Sequence, residues 1–327
     1  MPLDPQARTF LDEFAAAGIP MPWEVETAAR AREVLAGLQL PPEEPIAVAR
    51  VEDHVAETAV GSVPYRLFIP EGAGPFPVLM WFHGGGWTVG SLDESETTCR
   101  SLCRRVGAIV VCPDYRLAPE YPFPAAHEDC YAITAWVADR AAMLGADGCV
   151  AVGGDSAGGN LAAGVALMAR DRGRPQLAFQ LLVYPVVGLP TDGRQSYDKF
   201  AEGYFLTREG MEWFTNQYFP NGSREAEPLL APLHATDLSG LPPALVITAE
   251  YDPLRDEGEE YARRLADSGV AAASTRYDGQ IHAFFVLTDQ FDSAFVAHDQ
   301  AAAALTRAFT AARRHITTLS DALAQPG

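Results

Sequence analysis

The densest chemistry in the chain lies in Gly153-Gly154-Asp155-Ser156-Ala157-Gly158-Gly159, a G-x-S-x-G pattern between a short β-rich run and an Ala-rich helical stretch. A serine on a sharp strand-to-helix turn has strained backbone angles and tolerates only small neighbours. Gly154 and Gly158 supply them two positions either side. Such a turn lifts the hydroxyl above the carboxyl ends of the strands, and the following helix aims its first amides at developing negative charge. A second segment, His83-Gly84-Gly85-Gly86-Trp87, follows an apolar run ending at Phe82. Its glycines let the backbone pass close to a substrate. The N–H groups of Gly84, Gly85 and Ala157 are expected to donate to a tetrahedral oxyanion, each contributing about 3–4 kcal/mol. A dinucleotide loop is disfavoured, because G-x-G-x-x-G needs glycine at position 89, which is Val. His83 is expected to orient the glycine loop by hydrogen bonding.

A serine hydroxyl is a weak nucleophile and needs a base, which in turn needs an orienting carboxylate. On an elbow of this kind the partners follow in the order serine, acid, histidine, each after a late strand. Of the histidines downstream of Ser156, His298 and His315 fall in a terminal helical stretch and His234 precedes the penultimate strand. His282, in the loop Gly279-Gln280-Ile281-His282 after the last strand, is the choice. Glu250, Asp252, Asp256 and Glu257 compete for the acid. Asp252 sits in the turn ahead of Pro253, whereas Asp256 and Glu257 fall in a first helical turn where acids favour the dipole anyway. Asp252 is assigned. Asp155 reads as structural, Asp114-Tyr115-Arg116 and Pro119-Glu120 as a hydrogen-bonded scaffold, and His127-Glu128-Asp129 as surface or outer support of the site.

These residues require a scaffold of alternating strands and helices, and the pattern supplies one. Strands are expected at 48–55, 65–69, 77–82, 108–113, 150–153, 178–184, 244–248 and 274–277, and helices at 94–105, 125–144, 158–171, 255–268 and 292–319. Runs such as Val78–Phe82 are apolar on both faces, as central strands covered by helices must be. In the last helix Phe291, Phe295, His298, Ala302, Leu305, Phe309, Ala312 and Ile316 follow 4-3-4-3 spacing, one buried stripe on which His298 is a packed histidine. Before the first strand, helical stretches at 9–17 and 24–38 are broken by prolines, the last pair being Pro41-Pro42. Between Val187 and His234 the alternation stops and aromatic residues crowd together, as a lid over a site would. The expected organisation is α/β, with a core of 47–187 and 233–327 and a helical cap of 1–46 and 188–232. Phe205, Leu206, Trp213, Trp87 and Phe285 are the expected walls of a substrate pocket.

Composition bounds the partners. The 327 residues carry 24 basic and 43 acidic side chains, a net charge of −19. A surface that negative repels phosphate backbones and anionic headgroups, so nucleic acid is not an expected partner. Five cysteines without a C-x-x-C pair or a histidine cluster point to reduced thiols, with no metal site. No leader is visible at the N-terminus and no apolar run approaches the ~20 residues of a membrane span, so a cytoplasmic location is expected.

Together HGGGW (83–87), DYRLAPEYPFPAA (114–126), GDSAGGNLA (154–162), YDPLRDEG (251–258) and the Ile281-His282 pair closely resemble the bacterial hormone-sensitive-lipase family of α/β-hydrolase-fold esterases. The resemblance implies an eight-stranded, mostly parallel sheet flanked by helices, with a cap, and hydrolysis of esters of short to medium acyl chains. It implies Ser156, Asp252 and His282 as triad, Gly84, Gly85 and Ala157 as oxyanion hole, and no cofactor. It also implies a small-molecule ester as partner and a possible homodimer. One departure is visible: the family usually has glycine after the histidine, where this chain has Ala283. Two rivals are an amidase or acyltransferase with the same triad, and a silenced ligand-binding relative such as the plant gibberellin receptors. The latter typically lose the histidine that this chain keeps.

Overall fold

The computed structural model describes residues 1–38, 44–220 and 227–323, so the expected break at Pro41-Pro42 lies outside the described residues. The doubly apolar runs form the middle of one eight-stranded sheet. Its strands are β1 (Arg50–Thr58), β2 (Gly61–Ile69), β3 (Phe76–Phe82), β4 (Ile109–Pro113), β5 (Ala146–Asp155), β6 (Leu177–Val183), β7 (Ala244–Tyr251) and β8 (Ala272–Ile281). The order is β1-β2-β4-β3-β5-β6-β7-β8. β1 and β2 run antiparallel to their neighbours, and the six strands from β4 to β8 are mutually parallel. Chain order reverses between β3 and β5, which opens a crevice at their carboxyl ends, the usual position of a ligand site in an open α/β sheet.

Period-two alternation divides the core into two layers. Val78, Met80 and Phe82 point to the side covered by α4 (Ala125–Asp139), α5 (Ala157–Asp171) and α8 (Arg255–Asp267). Leu79 and Trp81 point to the side covered by α3 (Leu92–Val106) and α9 (Asp292–Leu323). Of the expected stripe, Phe291 just ahead of α9 and His298, Ala302, Leu305 and Phe309 on it are buried, Ala312 is half-buried, Phe295 is half-buried under the Arg105 guanidinium, and the Ile316 side chain lies outside the described residues. Small residues complete that face: Ala294, Ala297, Ala301 and Ala304 are buried against the sheet layer. His298 packs as expected. Its Nε2–H donates to the Phe285 carbonyl at 3.0 Å, its Nδ1 accepts from Ser101 Oγ at 2.7 Å, and burial lowers its pKa to about 4. All five cysteines are buried free thiols. Among the described residues no helix is long and apolar enough to cross a membrane.

Two excursions leave the sheet and meet over one rim. The first comprises α1 (Pro5–Ala17), capped by the Asp4 carboxylate on the Gln6 N–H, a 3-10 turn at Pro22–Glu24 and α2 (Ala28–Leu38). The second, between β6 and β7, contains α6 (Gln195–Lys199) and α7 (Arg208–Tyr218). Phe10 and Phe14 of α1 meet Phe205 of the second excursion edge-on, with ring centroids 5.4 and 5.5 Å away. Trp23 meets Phe214 in the same way at 6.0 Å.

The second excursion is fastened to α8. Glu257 Oε1 accepts the Val187 and Gly188 N–H groups at 2.8 and 3.1 Å, Ser196 Oγ donates to the Pro253 carbonyl, and Asp256 accepts the Ser196 N–H. Glu257 is fully buried, its Oε2 has no hydrogen-bond partner among the described residues, and burial pushes its pKa up to about 7. A carboxyl whose folded pKa is raised stabilises the fold when neutral, and loses that contribution as pH rises through its folded value. Glutamine keeps the accepting oxygen and never ionises. Glu257→Gln is therefore expected to be more stable than wild type at pH 8 by roughly 2–3 kcal/mol, with the gap closing by about pH 5. Urea denaturation at the two pH values measures it, and an equal loss at both would show that the anchor needs the charge.

Candidate active site

The three side chains picked from distant parts of the chain come together at the β3–β5 crevice. Ser156 follows β5 directly, at the N-terminus of α5, with φ 56° and ψ −119°. The turn is so tight that a Cβ on Gly158 would sit 1.9 Å from the Phe82 carbonyl oxygen, and one on Gly154 would meet Gly158 at 2.4 Å. Only glycine fits either place. His282 leaves β8, and its Nε2 lies 3.1 Å from Ser156 Oγ. Its Nδ1 lies 2.7 Å from Asp252 Oδ2, in the turn after β7. Asp252 is fully buried and its Oδ1 accepts the Leu254 N–H at 2.8 Å, which holds the carboxylate in place. With the Nδ1 proton directed at Asp252, Nε2 presents its lone pair to the serine hydroxyl. The competing acids are occupied elsewhere: Glu250 accepts the Gly279 N–H, Asp256 pairs with Arg255, and Glu257 anchors the second excursion.

The glycine loop corrects one expectation. The Gly84 N–H donates to Asp155 Oδ1 at 3.1 Å, so it is not available to a substrate oxygen. The N–H groups of Gly85, Gly86 and Ala157 have no hydrogen-bond partner among the described residues, and Gly85 and Gly86 line the cavity above Ser156. The free amides of the loop are thus those of Gly85 and Gly86, one residue further along than expected. Gly85 and Gly86 have φ of 104° and 56°, left-handed values that glycine adopts freely. The loop is braced by His83, whose ring stacks on Tyr115 at 4.3 Å and whose Nδ1–H donates to the Gly84 carbonyl at 2.7 Å. The Tyr115 hydroxyl donates to the His83 carbonyl at 2.8 Å. Burial lowers the His83 pKa to about 4, so the ring stays neutral. Burial likewise pushes Asp155 up to about 7.

The scaffold expected around 114–120 is present, with Arg116 gripping Asp129 and Glu120 pairing with Arg32 of α2. Of the two readings for 127–129, surface or outer support, burial excludes the first for His127 and Asp129. His127 and Asp129 are buried on the inner face of α4, and His127 Nδ1 lies 2.8 Å from the Tyr218 hydroxyl.

The cavity above Ser156 has a volume of about 450 Å³. Phe205 and Leu206 line it as expected; Trp87, Trp213 and Phe285 do not. Trp87 turns inward to stack on Tyr218 at 4.8 Å and donates its indole N–H to Asn160. Trp213 lies edge-on behind Phe214, the ring that does reach the cavity. Phe285 stacks on Trp81 in the α9 layer, because the Ala283 carbonyl accepts from both Val286 and Leu287 N–H, a turn that leaves residues 283, 286 and 287 facing the cavity. Ala283 itself has φ 72°, a conformation that costs a residue with a Cβ about 1–2 kcal/mol. Phe10, Phe14, Trp23, Met211 and Phe214 also line the cavity. The 10/14 pair was legible as two aromatics one helical turn apart, a spacing that puts both on one face.

Similarity to known proteins agrees with this geometry. A profile of the alpha/beta hydrolase fold matches residues 79–286. The chain is 38% identical over 325 residues to Carboxylesterase NlhH of Mycobacterium tuberculosis, covering 94% of this chain and 97% of that one. It is 39% identical over 289 residues to an arylesterase of Saccharolobus solfataricus, covering 87% and 92%. Among solved structures it is similar to a hyperthermophilic esterase from the archaeon Pyrobaculum calidifontis, with a TM-score of 0.87 at 41% identity over 94% of this chain and 99% of that one. The chain belongs to the alpha/beta hydrolase fold family, in its hormone-sensitive-lipase-like branch.

The Asp155–Gly84 bond gives a test of the loop. Asp155→Ala removes the acceptor that holds the glycine loop against the elbow, and labelling of Ser156 by a fluorophosphonate is expected to slow about 10- to 100-fold. Asp155→Asn, which keeps an oxygen in the same place, is expected to recover most of the rate. Equal losses in both variants would mean that the charge, not the acceptor, matters.

Proposed function

We propose that this protein is a carboxylesterase that hydrolyses short- to medium-chain acyl esters through a Ser156 acyl-enzyme. The observation that carries the reading is the position of His282, with one ring nitrogen 3.1 Å from the Ser156 hydroxyl and the other 2.7 Å from a buried carboxylate. As Ser156 Oγ attacks the ester carbonyl, its proton passes to His282 Nε2, and Asp252 stabilises the imidazolium. The carbonyl oxygen becomes an oxyanion, for which the unpartnered amides of Gly85, Gly86 and Ala157 are the donors. Collapse expels the alcohol, which takes the proton from His282. Water then attacks the acyl-enzyme with His282 again as base, releasing the acid and restoring the hydroxyl. Relatives named carboxylesterase and arylesterase support the reaction class.

The two excursions act in this reading as the cap, 1–46 and 188–232, over a core of 47–187 and 233–327. Its aromatic residues wall the cavity and limit the acyl chain. Phe205, with φ 74°, is held in that wall against Phe10 and Phe14.

Ser156→Ala is expected to lower kcat for p-nitrophenyl butyrate by at least about a thousandfold while leaving the melting temperature within a few degrees of wild type. Retained turnover would remove the serine from the mechanism. Phe205→Ala opens that wall, and the ratio of kcat/KM for p-nitrophenyl octanoate over butyrate is expected to rise by about tenfold. An unchanged ratio would place the acyl chain elsewhere.

A further inference from the structure

The polar groups of the cavity are distributed unevenly. Among the described residues that line it there is no lysine or arginine, yet two carboxylates are present, Asp155 and Glu94. Asp155 is committed to the Gly84 amide. Glu94 is not committed in that way. It sits in the first turn of α3, half-buried, and lines the cavity. Its only side-chain hydrogen bond among the described residues is from Ser91 Oγ, at a long 3.3 Å, and it takes part in no ion pair there. A carboxylate partly removed from water without a cation is held at a cost, and burial together with the neighbouring Asp93 raises its pKa. Ser91 and the N-terminal end of α3 offset part of that cost, but no cationic side chain among the described residues pairs with Glu94. The same cavity wall carries five aromatic rings, those of Phe10, Phe14, Trp23, Phe205 and Phe214, and aromatic faces attract cations.

Resting on the esterase reading, we propose that Glu94 is a specificity-determining residue that selects esters bearing a cationic group, such as a quaternary or protonated amine, over neutral or anionic esters of the same shape. A cation in the cavity completes the ion pair that Glu94 lacks, keeps it ionised, and packs against the rings. The net charge of −19 acts in the same direction at longer range, by concentrating cations near the surface.

The test compares isosteric esters that differ in one atom. With the charge on the alcohol, the pair is acetylcholine and 3,3-dimethylbutyl acetate. With the charge on the acyl group, it is the p-nitrophenyl esters of 4-(trimethylammonio)butyrate and 5,5-dimethylhexanoate. For each pair the ratio of kcat/KM, cationic over neutral, is measured in wild type, Glu94→Gln and Glu94→Asp. A folding or expression defect cancels in a ratio taken within one variant. The expected result is a fall of about tenfold in Glu94→Gln for at least one pair, with Glu94→Asp retaining most of the wild-type preference. If neither ratio moves in Glu94→Gln, or if Glu94→Asp behaves like Glu94→Gln, the proposal is overturned. The esterase reading is scored separately, by fluorophosphonate labelling of Ser156 and turnover of p-nitrophenyl butyrate in wild type. An enzyme active on neutral esters with unmoved ratios would overturn the role of Glu94 alone.

Discussion

Everything at the site depends on how closely two parallel strands and one helix approach each other at the crevice. Phe82 at the end of β3 pairs with Gly154 of β5, and the first turn of α5 then folds back until Gly158 lies against the Phe82 carbonyl. That contact places the elbow and the glycine loop side by side with no side chain between them. Asp155 uses the proximity to hold the Gly84 amide, and Ser156 beside it faces the cavity. A larger residue at 158 would push Ser156 away from the free amides of the glycine loop. The glycines here are dictated by distance between backbones, and their freedom in φ is a secondary matter.

The buried carboxylates near this rim illustrate how burial alone leaves a group's role undecided. Asp252 lies among donors, a backbone N–H and the His282 ring, and is therefore suited to stabilising a positive charge. Asp155 and Glu257 are as deeply buried but accept only backbone amides, and burial pushes both up to about 7. They are fasteners. One secures the glycine loop to the elbow, the other secures the start of the second excursion to α8, the helix that follows the acid-bearing turn. Chemistry and its support are thus built from the same residue type, distinguished by what faces the second oxygen.

Much of this was legible before any coordinates. β-rich runs located all eight strands, the central ones as continuous apolar runs because helices cover both faces there, and the elbow was legible because its geometry tolerates few residues. Asp252 could be separated from its neighbours since a turn position differs from a helix N-terminus in backbone terms. The site's finer assignments failed where they depended on direction. Gly84 and Gly86 are identical in sequence terms, and only the Asp155 acceptor decides which amide is engaged. Trp87 and Phe285 flank motif residues, yet a left-handed turn at Trp87 and the turn initiated at Ala283 send their rings into the core. The cavity wall from α1 was missed because two segments far apart along the chain build it jointly, and amphipathicity says which face is buried without saying against what.

Strain is concentrated in the same loops. Among the described residues, the non-glycine residues with positive φ are Trp87, Ser156, Tyr184, Phe205 and Ala283. Four of them follow the carboxyl ends of β3, β5, β6 and β8, and the other is an aromatic of the cavity wall. Each costs about 1 kcal/mol or more, which the rest of the fold must supply. A loop selected for stability alone would place glycine at such positions, as it does at Gly107 and Gly145, which close a helix or turn away from the rim. At the rim the side chain is needed. Ser156 supplies the hydroxyl, Tyr184 packs its ring 4.5 Å from that of His282, and Trp87 donates its indole N–H to Asn160. The deeply packed two-layer core is what permits these costs to coexist in one small region, and it keeps the reacting groups in register when no ligand is there to hold them.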